Sequence, residues 1–371
     1  MDWQLIESDQ ALAQLISSAR GCDAVMIDTE FMRRNTFFPQ VALAQLCFSG
    51  GGAEGTAWLL DPLQIDDPGP LVALFQDEAV VKVLHSASED LEVFQHWLGS
   101  LPQPLFDTQK AAAMVGLDFG LGYRAMVLEL CGEDLPKGET RSDWLQRPLT
   151  ESQCHYAAQD VIYLLQAYSI ISQRCREQGK YDWVLEDGAE AATTLASAAP
   201  DYFRRIKNAW KLKPRQLAVL MAVCDWREKT ARRADKPRSW IIDDKACLQI
   251  AQLMPSSRSE LQAGVELPPA VLRRRGDILV QLVDDMQHIP ANELPAALPP
   301  PLDARQRDQL KGLRKRAADI AGELGVAPQT LVASKDYETL LRNGGQEPAI
   351  WRGWRKERVI EPLKQYLQGT K

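Results

Sequence analysis

Five prolines crowd the thirteen residues from Ile289 to Pro301, at positions 290, 295, 299, 300 and 301. Proline fixes φ and has no N–H to donate, so neither a helix interior nor a central strand can pass through such a stretch. A second seam, Ala189 to Pro200 (AEAATTLASAAP), is small and polar. The two seams divide the 371 residues into units of about 1–190, 200–290 and 300–371. Three units suit a chain too long for one ordinary core, since domains run to ~100–200 residues.

In the first unit, strand-like and helix-like patterns alternate. Ala24 to Ile27, Val41 to Phe48 and Ala57 to Leu60 read as strands, with Gly50-Gly51-Gly52 as a turn between the last two. Val80 to Leu84 (VVKVL) reads as a buried strand between helices at Leu71 to Phe75 and Glu89 to Leu98, and after Leu105-Phe106-Asp107 the pattern is mainly helical. Strands first and helices after predict a mixed sheet covered by helices. The other two units read as all-helical. Leu217, Leu220, Met221 and Cys224 stand at i, i+3, i+4 and i+7, one apolar helix face. Pro237 to Ile241 has a faint echo in Pro328 to Val332, 91 residues on. The last unit is expected to be separable, leaving the catalytic unit able to fold without it.

Composition narrows the class. With 45% hydrophobic and 25% charged residues the chain is globular, neither disordered nor fibrous. No apolar run approaches the ~18 residues of a membrane span. Met1-Asp2-Trp3-Gln4 lacks the basic start of a secretory signal, so no membrane partner and a cytoplasmic location are expected. Seven scattered cysteines without a C-x-x-C pair argue against both a disulfide framework and structural zinc. The net charge of −7, taken alone, speaks against a polyanionic partner. Its distribution speaks otherwise: residues 1–190 hold 12 Lys and Arg against 29 Asp and Glu, whereas residues 191–371 hold 31 against 21. An acidic unit for chemistry and a basic unit for holding a polyanion is one reading, and ordinary variation between domains is the other.

The chemistry-bearing residues lie in the acidic unit. Asp28 and Glu30, at i and i+2 after the apolar run Val25-Met26-Ile27, point to the same side of a strand. Asp90 follows the strand Val80 to Leu84 in the first turn of a helix that Ser86 or Ser88 can cap. Tyr156 and Asp160, at i and i+4, rise from one face of a helix opened by the capping box Thr150-Glu151-Ser152-Gln153. Each pattern in isolation reads as solvated acids or helix-dipole stabilisation. Together, four carboxylates and a tyrosine suit hard cations such as Mg²⁺ or Mn²⁺, and paired hard cations are a recurrent device for phosphodiester cleavage.

These segments, Asp28 to Phe31, His85 to Asp90 and Tyr156 to Asp160, resemble in order and spacing the three motifs of the DEDD exonuclease superfamily, in its tyrosine-bearing subclass. Arg141-Ser142-Asp143-Trp144 followed by Arg147-Pro148-Leu149-Thr150 is similar to the flank of the third motif in the ribonuclease D family. Residues 204–290, with Leu217, Trp226, Arg227 and Pro237 to Trp240, resemble the HRDC domain that this family shares with RecQ-type helicases. Residues 300–371 are similar to a second, more divergent HRDC unit without an equivalent of Trp226.

The resemblance covers essentially the whole chain. It implies an α/β ribonuclease H-like exonuclease domain at 1–190 and two all-α HRDC-type domains at 200–290 and 300–371. It further implies 3′-5′ hydrolysis of RNA, notably tRNA precursors with 3′ extensions, with release of 5′-monophosphates. By the same resemblance Asp28, Glu30, Asp90 and Asp160 hold two divalent metal ions, Mg²⁺ or Mn²⁺. Asp28 would bridge them, Glu30 and Asp160 would complete the water-activating site, Asp90 would help hold the second ion, and Tyr156 would orient the water.

Other residues keep two readings. Lys137 and Arg141 either grip a phosphate or belong to a solvated charge run. Arg204, Arg205, Lys207, Lys211 and Lys213, around Trp210, either bind nucleic acid with a stacking ring in their midst or line a solvated amphipathic helix. Phe31 reads as core and His85 as a strand-end hydrogen bonder. No G-x-x-x-x-G-K-[ST] loop occurs, so no ATP-driven motor is expected. A monomer is expected. A DNA-directed exonuclease has the same acids and is not separated from the RNA reading by them, and a binding module that has lost activity would not retain the full set.

Overall fold

A computed structural model describes residues 2–136, 138–139, 141–197, 201–342 and 351–369. The chain forms two compact units, one of Met1–Met32, Pro39–Ala198 and Asp303–Lys371 and the other of Arg33–Phe38 and Ala199–Leu302.

The first unit is built on a six-stranded mixed sheet in the order β1-β4-β3-β2-β5-β6. The strands are β1 (Trp3–Ile6), β2 (Ala24–Met32), β3 (Gln40–Ser49), β4 (Ala57–Leu60), β5 (Val81–Leu84) and β6 (Leu105–Asp107). β2 lies antiparallel to β3 and parallel to β5. Its alternation sorts side chains into two layers. Ala24 and Met26 join the core beneath the long helix Glu151–Glu177, whereas Val25 and Ile27 join the core beneath helices Asp9–Ser18, Gly69–Gln76 and Ser88–Trp97. Burial on both faces explains the nearly continuous apolar runs in the sequence. The strand β1, parallel to β4 at the sheet edge, was not legible in WQLI, whose two central residues are exposed.

β5 carries a lysine with no exposed surface. The Lys82 ammonium donates to the carbonyls of Asp77, Val80 and Gln103 at 2.5, 2.7 and 2.5 Å, which satisfies the charge by main-chain oxygens.

The first seam differs from the sequence reading. The helix Tyr181–Ser197 runs through most of Ala189 to Pro200, because alanine is the best helix former and Ala192 is buried there. That helix also holds the C-terminal segment. Trp183 stacks on Trp354 with centroids 4.6 Å apart and planes at 7°. Asp187, 3% exposed, accepts from the Trp354 indole at 3.2 Å and pairs bidentately with Arg355, which also donates to the carbonyls of Thr330 and Leu331. Leu313, Ala317, Ile320, Leu331, Leu340 and Val359 belong to the same buried core as Met26 and Phe106. Removal of 303–371 would therefore expose the core of the unit that carries the sheet, contrary to the expectation of a separable last module.

The second unit is helical. Pro214–Ala234 and Pro269–Gln287 pack with Asp244–Leu253 around Leu217, Leu220, Val223, Cys247, Ile250 and Leu279. The sequence echo has a structural counterpart: the short helices Arg238–Ile241 and Pro328–Leu331 each follow a helix of 21 residues and precede a further helix.

Candidate active site

β2 extends through Met32, so Asp28 and Glu30 lie within the strand rather than beyond its end, with a register irregularity at Glu30/Phe31. By alternation both face the layer of the long helix, which carries Asp160. Carboxylate oxygens of Asp28, Glu30 and Asp160 all lie within 4.8 Å of one another, half-buried.

Thr29, between the two strand acids, faces the other layer and donates its hydroxyl to Asp90 at 2.5 Å. Three of the four expected acids are thus gathered. Asp90, 8% exposed, stands on the hydroxyl of Thr29, a partner that no local pattern in the sequence marks.

Burial and mutual repulsion set the electrostatics. Burial, then the charge of Asp160, pushes Asp28 well above the usual carboxylate range. Burial, then Asp28, Asp160 and Asp90, pushes Glu30 up to about 10. Burial pushes Asp160 up to about 8, and burial with the neighbouring Asp28 raises Asp90 well above its ordinary value. Among the described residues no Lys, Arg or His pairs with Asp28, Glu30 or Asp160. An all-oxygen set with raised proton affinity and no cationic partner among the described residues fits a hard divalent cation.

Tyr156 rises one turn before Asp160, and burial, then the charges of Asp160, Glu30 and Asp28, raises its phenol above the ordinary value. Its hydroxyl therefore keeps its proton and suits positioning rather than base catalysis.

The long helix is fixed at its start. Thr150 and Gln153 form the reciprocal capping box. Before it, Arg147 grips the Asp61 carboxylate with two bonds of 2.6 and 2.7 Å and donates to Ala42 O at 2.6 Å. Trp144, 2% exposed, lies 6.0 Å from the Tyr156 ring. The Arg141 to Thr150 flank thus holds the helix start to the sheet. Gly138 borders Tyr156 so closely that a Cβ there would stand 2.4 Å from the ring. Tyr123, unnoticed in the sequence, donates its hydroxyl to Asp160 O at 2.6 Å and Gln159 O at 3.1 Å.

The start of the Asp90 helix departs from expectation. Neither serine caps it. The N–H groups of Ser86 and Ala87 go instead to the Asp107 carboxylate, at 3.0 and 3.2 Å, because Ser86 has φ 60° and turns the loop toward β6. His85 meets Thr108 Oγ1 at 3.0 Å, a strand-end hydrogen bond.

Of the residues considered for nucleic-acid binding, Lys137 lies outside the described residues. Arg141 is exposed. The cluster Arg204, Arg205, Lys207, Trp210, Lys211 and Lys213 belongs to the second unit, and it is no amphipathic helix. Asn208, at φ 70°, separates two short 3-10 turns, Tyr202–Arg205 and Ala209–Lys211. Arg204 pairs with Asp201 at 2.7 Å, Arg205 lies over Tyr202, and Lys211 lies 5.4 Å from the ring of Trp210, which is 38% exposed.

Comparison with known proteins bears on the same residues. A 3′-5′ exonuclease family matches residues 3–176, and the HRDC domain matches 216–283. A ribonuclease D of Pseudomonas paraeruginosa is 43% identical over 99% of this chain and 98% of its own length, and that of Escherichia coli is 36% identical over 99% of each. The crystal structure of Escherichia coli RNase D, described as an exoribonuclease involved in structured RNA processing, superposes with a TM-score of 0.92 at 35% identity, covering 100% of this chain and 99% of that one. Among the described residues no helix is long and apolar enough to cross a membrane.

Proposed function

The chain belongs to the ribonuclease D family of hydrolytic 3′-5′ exoribonucleases, and from that premise we propose that it trims 3′ extensions from structured RNA, tRNA precursors among them, with two divalent cations, Mg²⁺ or Mn²⁺. The observation that carries the cation reading is the cluster of Asp28, Glu30 and Asp160 within 4.8 Å, with no cationic side chain paired to it among the described residues. Asp28, Glu30 and Asp160 would hold one ion, and Asp28 with Asp90 the other. When bound, such cations supply Lewis acidity at the phosphate and make a water easier to deprotonate.

The chain's own side chains do the rest. Tyr156, protonated and one turn from Asp160, holds the attacking water by its hydroxyl. Tyr123 fixes the turn that carries Asp160 by bonding its carbonyl. Thr29 holds Asp90. The basic second unit, with the Arg204 to Lys213 segment and Trp210, and Lys137 and Arg141 in the first, are proposed as RNA contacts. The boundaries 1–190, 200–290 and 300–371 are proposed as the sequence-level divisions, with the last built into the core of the first. Free thiols at all seven cysteines suit the cytoplasm.

The test is a stem-bearing RNA with an unpaired 3′ tail, labelled at its 5′ end and incubated with Mg²⁺ beside a DNA strand of matched sequence. Stepwise shortening of the RNA toward the stem supports the reading. Faster digestion of the DNA, or a single internal cut, would sink it.

A further inference from the structure

The second unit neutralises many of its cations internally. Arg204, Arg227, Lys229, Arg232, Arg238 and Lys245 each have a carboxylate partner within 2.8 Å. Lys236 does not. Its ammonium reaches Asn35 O at 3.4 Å and stands 5.9 Å from the ring centroid of Trp240. The acid next to it, Asp235, is consumed otherwise, accepting the N–H groups of Phe37 and Phe38 at 2.9 and 3.1 Å. Arg34, beside Asn35, and Arg233, three residues before Lys236, are exposed and have no acidic partner among the described residues. Residues 201–240 hold 12 Lys and Arg against 4 Asp and Glu.

Trp240 is 58% exposed, more than any other large apolar side chain among the described residues. Its helix, Arg238–Ile241, turns Ile241 inward at 4% exposure. Arg238 is locked between the rings of Tyr202 and Phe37, at 4.0 and 4.5 Å, and bonded to Glu228. The helix is thus anchored on one side and presents the exposed indole of Trp240 on the other. An exposed aromatic face beside a cation without a carboxylate partner is what stacks an unpaired base and neutralises its flanking phosphate.

We propose that Trp240 and Lys236, with Arg34 and Arg233 on the adjoining segments, form a stacking site for an unpaired nucleobase of RNA. The site rests on RNA being the substrate. Arg34 stands four residues along the chain from Glu30.

The test uses the full chain in EDTA, so that binding is read without hydrolysis, and a fluorescein-labelled oligoadenylate of about twelve nucleotides, with a blunt RNA duplex as comparison. Trp240→Ala is expected to weaken oligoadenylate binding at least ~5-fold and Trp240→Phe to recover most of it, since stacking needs the ring. Lys236→Gln is expected to reduce the slope of log K against log salt by about 0.7, the value for one phosphate of a single strand. Duplex affinity should change less than about twofold, there being no free base to stack. Trp240 is exposed, so wild-type melting of each variant is expected and is checked. Oligoadenylate affinity of Trp240→Ala within twofold of wild type, or an equal loss on the duplex, would overturn the proposal. Hydrolysis of the same oligomer by wild type in Mg²⁺ is read separately, so failure of the catalytic reading leaves the binding result interpretable.

Discussion

Replacing Glu30 by glutamine should make the metal-free protein less sensitive to alkaline pH. Glu30 has oxygens within 4.8 Å of Asp28 and Asp160, and at an effective dielectric of 20 two unit charges so placed repel by about 3.5 kcal/mol. Burial, then repulsion from Asp28, Asp160 and Asp90, pushes Glu30 up to about 10, and burial pushes Asp160 up to about 8, so the folded protein holds protons there. Both values are raised above those of the unfolded chain. Their stabilising contribution is therefore complete below the ordinary carboxylate range and is lost as pH rises toward the folded values. Each proton held by the folded state but released by the unfolded chain costs about 1.4 kcal/mol per pH unit. Between pH 6 and pH 8, Glu30 alone should remove about 3 kcal/mol from the wild type.

Urea unfolding in EDTA at the two pH values, for wild type and Glu30→Gln, reads the difference of differences, in which the titrating groups that do not interact with Glu30 cancel. The variant should lose about 3 kcal/mol less than wild type over this interval. Saturating Mg²⁺ should restore the wild type at pH 8 and stabilise the variant less, because a bound cation relieves the repulsion that glutamine has already removed. Parallel pH profiles for the two proteins in EDTA would refute the picture of a repulsive carboxylate cluster.

Further perturbations test other parts of the structure. Tyr156→Phe should lower kcat about 10²-fold with KM for RNA nearly unchanged, as expected for loss of one positioning hydroxyl, in steady-state kinetics on a 3′-tailed RNA. Asp187→Ala leaves the Arg355 guanidinium, 15% exposed, with only Glu190 at 3.9 Å as a carboxylate and should cost about 3 kcal/mol in chemical denaturation. Gly188→Ala would place a Cβ 2.1 Å from Leu105 O, a main-chain atom of β6, and should lower stability by about 1–3 kcal/mol or more by forcing the helix off the sheet. Truncation after Leu302 should abolish cooperative unfolding of the sheet-bearing unit, seen by calorimetry, since the core of that unit includes Leu313, Ile320 and Leu340.

Local patterns carried the sheet and the acids because both depend on short-range periodicity. Asp28 and Glu30 share a face by the alternation of one strand, and Tyr156 and Asp160 by the turn of one helix. What was not legible depends on groups distant in sequence. The hydrogen bond from Thr29 to Asp90 spans 61 residues, and no local signal marks a threonine in a strand as the partner of a helix acid. No serine caps the Asp90 helix, and the loop before it is held by Asp107, toward which a positive φ at Ser86 turns it, which composition does not reveal. The proline seam was a real break in secondary structure, yet it misled about independence. The residues beyond it pack Trp354 and Arg355 against Trp183 and Asp187, a pairing across some 170 residues. Lys82 in an apolar strand gave no hint that three carbonyls would receive it.

The central claim is that the carboxylate cluster hydrolyses RNA from the 3′ end with the help of divalent cations, and mass spectrometry of the first products tests it most directly. With Mg²⁺ the wild type should release nucleoside 5′-monophosphates one at a time from a 3′-tailed RNA. EDTA should stop the release, and Asp28→Asn should slow it at least ~10³-fold, of the order seen when a transition-state-stabilising group is removed. Products bearing a 3′-phosphate, or release by Asp28→Asn or in EDTA at the wild-type rate, would contradict the claim.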